Sequence, residues 1–436
     1  MSESLVDWNT YLEVASLSDI GMRRATNQDN MSVALASSIE HWQKKGHLFI
    51  VADGMGAHAA GELASKLAID HIPHLYARFD EDSNGESLRK AMSGANGEIY
   101  RRGQLNEEFR NMGTTCSSLL LLPGAAIVGH IGDSRVYRMS NNRLEQLTFD
   151  HSLVWEMRAA GQLTAEEEAA NKVPKNVITR SLGPYPECKV DVEGPFPLKA
   201  GETFLLCSDG LTGVITDQEM GSIMANMSPN EAARVMVDLA NLRGGPDNIT
   251  VVIVKVNQPV PVDAASHTTG KQKSRSNNKG SSTPVIVASI VFALSMLFVL
   301  MFLLTGSHLT AVLPGIAAIG CLIFLFYQFL LSGVAAEGNG MGGKVFGRGP
   351  YVRINCPSGE LFARQMSKLL KELQAGAVDK GWKVDWDQLK ALVTTAESAV
   401  KGKQYSKAVA GYGRAISFMM EQLRNQNTDS GSSVDL

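Results

Sequence analysis

Three short stretches bring an aspartate beside a small or turn-forming residue at the edge of an apolar run. Leu48 to Ala52 runs into Asp53-Gly54, and Leu205-Leu206-Cys207-Ser208 runs into Asp209-Gly210. Gly245-Pro246-Asp247-Asn248 precedes the β-rich run Ile249 to Val252. Each alone reads as a plain turn, since Asp-Gly is a common turn dipeptide. Their recurrence suggests three carboxylates, far apart in sequence, converging at one end of a sheet. Carboxylates that share a small site repel and raise each other's pKa. A hard divalent cation removes that cost, and carboxylate, carbonyl and water ligands suit Mg²⁺ or Mn²⁺. Gly54 lets the backbone come close to whatever Asp53 binds, and its carbonyl is a further candidate ligand.

A polar loop upstream, Gly21 to Asn30, carries Arg23, Arg24 and Asp29. It reads either as a solvated turn or as a phosphate grip, because a guanidinium stays charged and binds phosphate oxygens bidentately.

Strand-like runs at 48–52, 116–122, 125–131, 135–139, 203–207 and 249–255 must position these groups, with helical runs at 59–77, 86–103, 152–161 and 230–242. Ser228-Pro229-Asn230-Glu231 is a good opening for the last helix. Strands in runs, without strict alternation with helices, point to an α+β antiparallel sandwich flanked by helices.

The ordered set of motifs resembles the bacterial branch of the metal-dependent Ser/Thr protein phosphatases, the type-2C family. Arg24-x-x-Asn27-Gln28-Asp29, Asp53-Gly54-Met55-Gly56-Ala57-His58 with Gly61-Glu62, and Gly113-Thr114-Thr115 come first. Gly129-His130-Ile131-Gly132-Asp133-Ser134-Arg135, Thr148-Phe149-Asp150-His151-Ser152 and Thr179-Arg180-Ser181-Leu182-Gly183 follow, and the two later Asp motifs complete the set. The resemblance covers about residues 10–257. It implies a four-layer αββα sandwich. It also implies two metal ions on Asp53, the Gly54 carbonyl, Asp209 and Asp247, with Asp29 on metal-bound water and Asp133 on a looser third ion. Arg24 would clamp the substrate phosphate, and attack would come from a hydroxide bridging the metals. No cysteine nucleophile is then expected, and Cys116 and Cys207 read as buried strand residues. His58 reads as the acid for the leaving group or as a loop-shaping residue, and His151 as a flap or helix-start residue rather than a ligand. Residues 162–176 read as a mobile polar flap, which in this family shapes substrate choice.

The chain has 436 residues, enough for two or three units. A net charge of −3 gives no reason to expect nucleic-acid binding. Five scattered cysteines without Cys-x-x-Cys spacing fit a reducing compartment. No cleavable signal peptide is apparent at the N-terminus. Residues 258–284 read as a basic flexible linker. Val285 to Leu304 and Leu309 to Leu331 carry no charge, and each is long enough to span a bilayer. They read as a transmembrane hairpin, and lysines and arginines on its outer flanks place both termini in the cytoplasm. Residues 332–349 read as a Gly-rich linker, 350–424 as a small all-α region and 425–436 as a disordered tail. Lys401 to Ile416 resembles one tetratricopeptide-type repeat, but only one copy is visible and stable arrays need about three, so an ordinary small bundle is the slightly favoured reading. Either would serve docking to a protein partner or self-association.

The expected activity is a membrane-anchored, Mn²⁺- or Mg²⁺-dependent phosphatase acting on phosphorylated proteins and opposing Ser/Thr kinases. The alternative is a membrane scaffold that binds phosphoproteins with weak or no catalysis.

Overall fold

The computed structural model describes residues 7–258 and 346–430, apart from 58, 82, 164–166, 168–172, 175–176 and 357–358. The hairpin at 285–331, its basic linker, most of the Gly-rich stretch, the last six residues of the tail and Cys321 lie outside the described residues. Among the described residues no helix is long and apolar enough to cross a membrane.

Strands Leu12–Asp19 (β1), Asp29–Ala34 (β2), His47–Met55 (β3), Gly113–Thr114 (β4), Cys116–Leu122 (β5) and Ala125–Ile131 (β6) form in chain order. Arg135–Ser140 (β7), Arg143–Gln146 (β8), Asp191–Pro197 (β9), Thr203–Cys207 (β10), Ile249–Val256 (β11) and Val352–Asn355 (β12) follow. They make two antiparallel sheets, ordered β1-β11-β10-β7-β8-β12 and β2-β3-β5-β6-β9, with β4 on β3. The strand runs read from the sequence match β3, β5, β6, β7, β10 and β11. The short strands β2, β8, β9 and β12 have no comparable apolar run.

Side-chain alternation explains the layering. In β3, Phe49 and Val51 join the core between the sheets, while Leu48, Ile50 and Ala52 face helices Ala60–Arg78 and Asn84–Leu105. In β11, Val252 and Val254 face the inter-sheet core. Ile249, Val251 and Ile253 face the helices Asp217–Asn226 and Pro229–Leu242 on the other side. Burial on both faces is why these strands read as continuous apolar runs rather than alternating ones. The Pro229 helix starts on a reciprocal capping box between Ser228 and Glu231. The four layers of the sandwich are therefore present.

The C-terminal segment differs from the expected linker and all-α region. Phe346 forms a β-bridge with Gly194 on one sheet edge, and β12 extends the other sheet beside β8. An unpaired edge strand exposes N–H and C=O groups, and pairing with β12 satisfies them. Helices Glu360–Asp379, Trp386–Lys401 and Tyr405–Ser430 then share one hydrophobic core with the β1-β11-β10-β7-β8 sheet and its helices. Gly413 comes so close that a Cβ there would lie 2.4 Å from the Met227 side chain. Gly221 lies equally close to Cys356, where the added Cβ would sit 2.3 Å from the sulfur.

Charged contacts tie the C-terminal segment to the domain: Arg353 to Glu145 at 3.3 Å, Arg414 to Glu231 at 2.7 Å and Arg424 to Asp238 at 2.7 Å. Asp238 is buried, which pushes its carboxyl up, while Arg424 pulls it back down. Removing one partner of a buried pair leaves an uncompensated charge. Arg424→Ala is therefore expected to cost about 3 kcal/mol of stability. An acid whose pKa is raised by folding loses stability as pH rises, because the unfolded chain ionises first. The deficit should thus be larger at pH 8 than at pH 5. Thermal unfolding at both pH values checks this, and an equal, negligible loss would show that Asp238 does not depend on Arg424.

Candidate metal centre and substrate cleft

Asp53 lies near the end of β3 and opposite Asp29 of β2 in the strand register. Thr115 braces the turn: its side-chain oxygen accepts the Asp53 N–H at 2.9 Å, and its N–H donates to the Asp53 carbonyl at 2.8 Å. Gly54 is packed against Gly61, and a Cβ on Gly54 would lie 2.1 Å from the Gly61 carbonyl oxygen. Only glycine tolerates that approach. Asp209 opens a short helix, Asp209–Thr212, directly after β10. Its neighbour Ser208 donates to Asp29 at 2.7 Å, linking the two sheets behind the site. Asp133 follows β6 and is buried.

Asp247 precedes β11 and meets Arg24, whose Nη2 donates to Asp247 Oδ2 at 2.6 Å. The Arg24 loop is held by Asn248. Its side-chain oxygen accepts the Gln28 N–H at 2.9 Å, and its Nδ2 donates to the Ile20 and Thr26 carbonyls at 2.9 and 3.0 Å. Asn248 stands in the Asp247 motif, yet its bracing role depends on where the Arg24 loop lies and is not readable from spacing.

Asp133, Asp209 and Asp247 line one cleft of about 740 Å³ together with Arg24. Asp29 and Asp53 are within electrostatic reach of Asp209. Burial and the neighbouring carboxylates push Asp29 and Asp133 each up to about 7, and the same causes raise Asp53 well above the ordinary carboxylate range. Asp209 is raised by burial and by Asp247, and it lies close enough to Asp53 for the two carboxyls to influence each other. Arg24 is raised mainly by its hydrogen bond to Asp247. The structure thus brings together Arg24, Asp29, Asp53, Asp133, Asp209 and Asp247, beside Gly54. His58 lies outside the described residues.

Among the described residues no three His, Cys, Asp or Glu side chains are drawn into a single tight cage. Asp133, Asp209 and Asp247 line an open cleft instead. Asp133 Oδ1 and Asp209 Oδ1 are buried and accept no hydrogen bond. A buried carboxylate oxygen without a donor is costly, and a hard cation supplies what is missing. The donor set therefore fits Mg²⁺ or Mn²⁺.

The other candidates resolve into structural roles. Cys116 and Cys207 are buried on β5 and β10, and burial raises both thiols, so neither is a nucleophile. His151 is buried. Its Nδ1 accepts the Gly132 N–H at 3.1 Å and its Nε2 meets Asp191 at 2.9 Å, beside the Asp133 turn. The cleft also holds residues that motif reading left unassigned: Arg135 paired with Asp150 at 2.7 Å, Trp155, Arg158 and Val352.

The protein phosphatase 2C family model matches residues 23–242. The protein phosphatase PhpP of Streptococcus pneumoniae is 37% identical over 253 residues, covering 57% of this chain and 98% of that protein. The serine/threonine phosphatase stp of Listeria monocytogenes is 35% identical over 244 residues, covering 54% of this chain and 93% of that protein. A solved serine/threonine phosphatase from S. agalactiae superposes with a TM-score of 0.51 at 34% identity, covering 57% of this chain and all of that one. With the αββα sandwich and the acidic cleft in place, these likenesses settle the family: the chain belongs to the protein phosphatase 2C family, in its bacterial branch, and is a protein-serine/threonine phosphatase.

Proposed function

We propose that the chain is a membrane-anchored phosphatase that hydrolyses phosphoserine and phosphothreonine in proteins with Mn²⁺ or Mg²⁺. In this reading Asp53, Asp209, Asp247 and the Gly54 carbonyl hold two ions, and Asp133 holds a third. The observation that carries it is the pair of donor-less buried carboxylate oxygens on Asp133 and Asp209, facing a cleft that also presents Arg24. Such ions, when bound, activate water for attack and neutralise charge on the transferring phosphoryl group. The half-exposed Arg24 guanidinium offers planar N–H donors to the phosphate oxygens. Asp29, held by Ser208, would accept a hydrogen bond from water on a bound ion. His58 is the candidate donor of a proton to the leaving alkoxide. The uncharged runs 285–304 and 309–331 support the anchor, and the flanking basic residues support cytoplasmic termini. The exposed groove of about 880 Å³ between the Trp386 and Tyr405 helices supports a docking role for the C-terminal region.

Hydrolysis of a phosphothreonine peptide by the full chain, stopped by EDTA and restored by Mn²⁺, tests the reading. Turnover unaffected by EDTA would remove the metal assignment. Metal must also displace protons from Asp29 and Asp133, so Mn²⁺ affinity should fall below pH 7, by about tenfold per pH unit for each proton displaced. Calorimetric titration between pH 6 and 8 reads that slope, and a flat profile would contradict the shared site.

A further inference from the structure

We infer that the C-terminal arm, residues 346–356, is part of the substrate-binding wall: Val352 and the Tyr351-braced Trp155 form an apolar subsite for a substrate side chain flanking the phosphorylated residue. The inference rests on the phosphatase reading of the cleft. The family match ends at residue 242, so nothing in it assigns a role to the arm.

The arm is keyed into the domain rather than laid on it. Glu193, buried on β9, accepts the Arg348 and Gly349 N–H groups at 2.9 and 2.8 Å on one oxygen. It accepts the Tyr351 hydroxyl at 2.6 Å on the other. Burial raises this carboxyl, and the three donors hold it back. Gly347, at φ +66°, passes so close that a Cβ would lie 1.8 Å from Glu193 Oε2. One residue type therefore fits there.

From this clamp the arm reaches the cleft. The Tyr351 N–H donates to the Gln146 carbonyl at 2.8 Å. Its ring meets Phe149 edge-on at 5.4 Å, and Phe149 meets Trp155 edge-on at 5.3 Å. Such aromatic pairs fix ring orientation as well as burying area. Trp155 is held from the other direction by Arg135 and Arg158, 5.7 and 5.4 Å from its ring. Val352, one residue beyond Tyr351, lines the same cleft as Trp155, Val154 and Arg158, and as Asp133, Asp209 and Asp247. Among these lining groups Val352 is the one contributed by the arm. Val352 and Trp155 give the wall an apolar surface in the cleft that also presents Arg24. Tyr351 acts as a positioning residue, since it touches Phe149 and not the cleft.

The test uses the full chain, Mn²⁺ and two phosphothreonine peptides that differ only in carrying leucine or glycine beside the phosphorylated residue. Wild-type protein is expected to prefer the leucine peptide in kcat/KM. Val352→Ala should reduce that preference about fivefold or more, chiefly through KM, because lost contacts in an apolar pocket weaken binding in ground and transition state alike. Val352→Thr, which keeps the β-branched shape suited to the strand, should reduce it in the same direction and covers the case in which the alanine variant fails to fold. Tyr351→Phe, which keeps the ring but loses the Glu193 bond, should raise KM for the leucine peptide more than for the glycine peptide. An unchanged preference in the Val352 variants overturns the inference while leaving the phosphatase reading intact. Hydrolysis of neither peptide by wild-type protein overturns both.

Discussion

Asp209→Asn is expected to lower kcat on a phosphothreonine peptide by about a thousandfold or more. Residues that merely orient a metal ligand already contribute about 10–100-fold, and this substitution replaces a proposed ligand. A thousandfold loss corresponds to about 4 kcal/mol of transition-state stabilisation. The shape of the side chain is kept, so packing is not disturbed. Asp209 is pushed up by burial and by Asp247, and its Oδ1 has no hydrogen-bond donor. Removing its charge relieves repulsion in the metal-free protein. The metal-free variant should therefore melt at the wild-type temperature or above it, and the stabilisation that Mn²⁺ gives the wild type should shrink. Activity within tenfold of wild type at saturating Mn²⁺ would falsify the assignment. A variant that lost activity only by unfolding would show it in the melting curve.

Removing residues 346–430 is expected to destabilise the remaining domain by about 5 kcal/mol or more, a large share of the roughly 5–15 kcal/mol that a domain has. Three physical losses add up. Apolar side chains on the Asp217 and Pro229 helices lose their cover. Met227 and Val235 pack directly against Gly413, and each large side chain returned to water costs up to about 1.5–3 kcal/mol. Strand β8 becomes an open edge, available to another chain. Glu193 loses three donors while it stays largely enclosed. Residues 1–258 should accordingly melt well below the full chain and self-associate, as read by thermal unfolding and light scattering. A monodisperse truncated protein melting within two degrees of the full chain would count against this account. The prediction also decides how activity is measured: the full chain is the proper material, because the domain boundary near residue 257 does not coincide with the edge of the hydrophobic core.

How much was legible differs from element to element. β5, β6 and β10 were readable because both their faces are buried, which turns them into unbroken apolar runs bounded by turns. β9 was not: Asp191, Glu193 and Pro195 interrupt its pattern, and its pairing is supplied by β6 through a register shift. β12 was hidden for a different reason. Its sequence, Val-Arg-Ile-Asn, alternates like many surface segments, and only the open edge of β8 makes it a strand. Phe346 to Gly349 read as loose because glycine there suggested freedom. In the fold the same glycine is what lets the chain pass the Glu193 carboxylate.

The side chains of the candidate site were legible in the sequence alone. Residue type and motif order identify carboxylates, an arginine and a glycine that must approach closely, and those properties are intrinsic to the side chains. Tertiary structure alone decided what surrounds them. The hydrogen bond of Asn248 to the Arg24 loop, the edge-on contact of Tyr351 with Phe149, and the joining of residues 346–430 to the catalytic core are contacts between segments far apart in the chain. Long-range contacts of this kind depend on which surfaces meet after the sheets have formed, and no local pattern encodes that meeting.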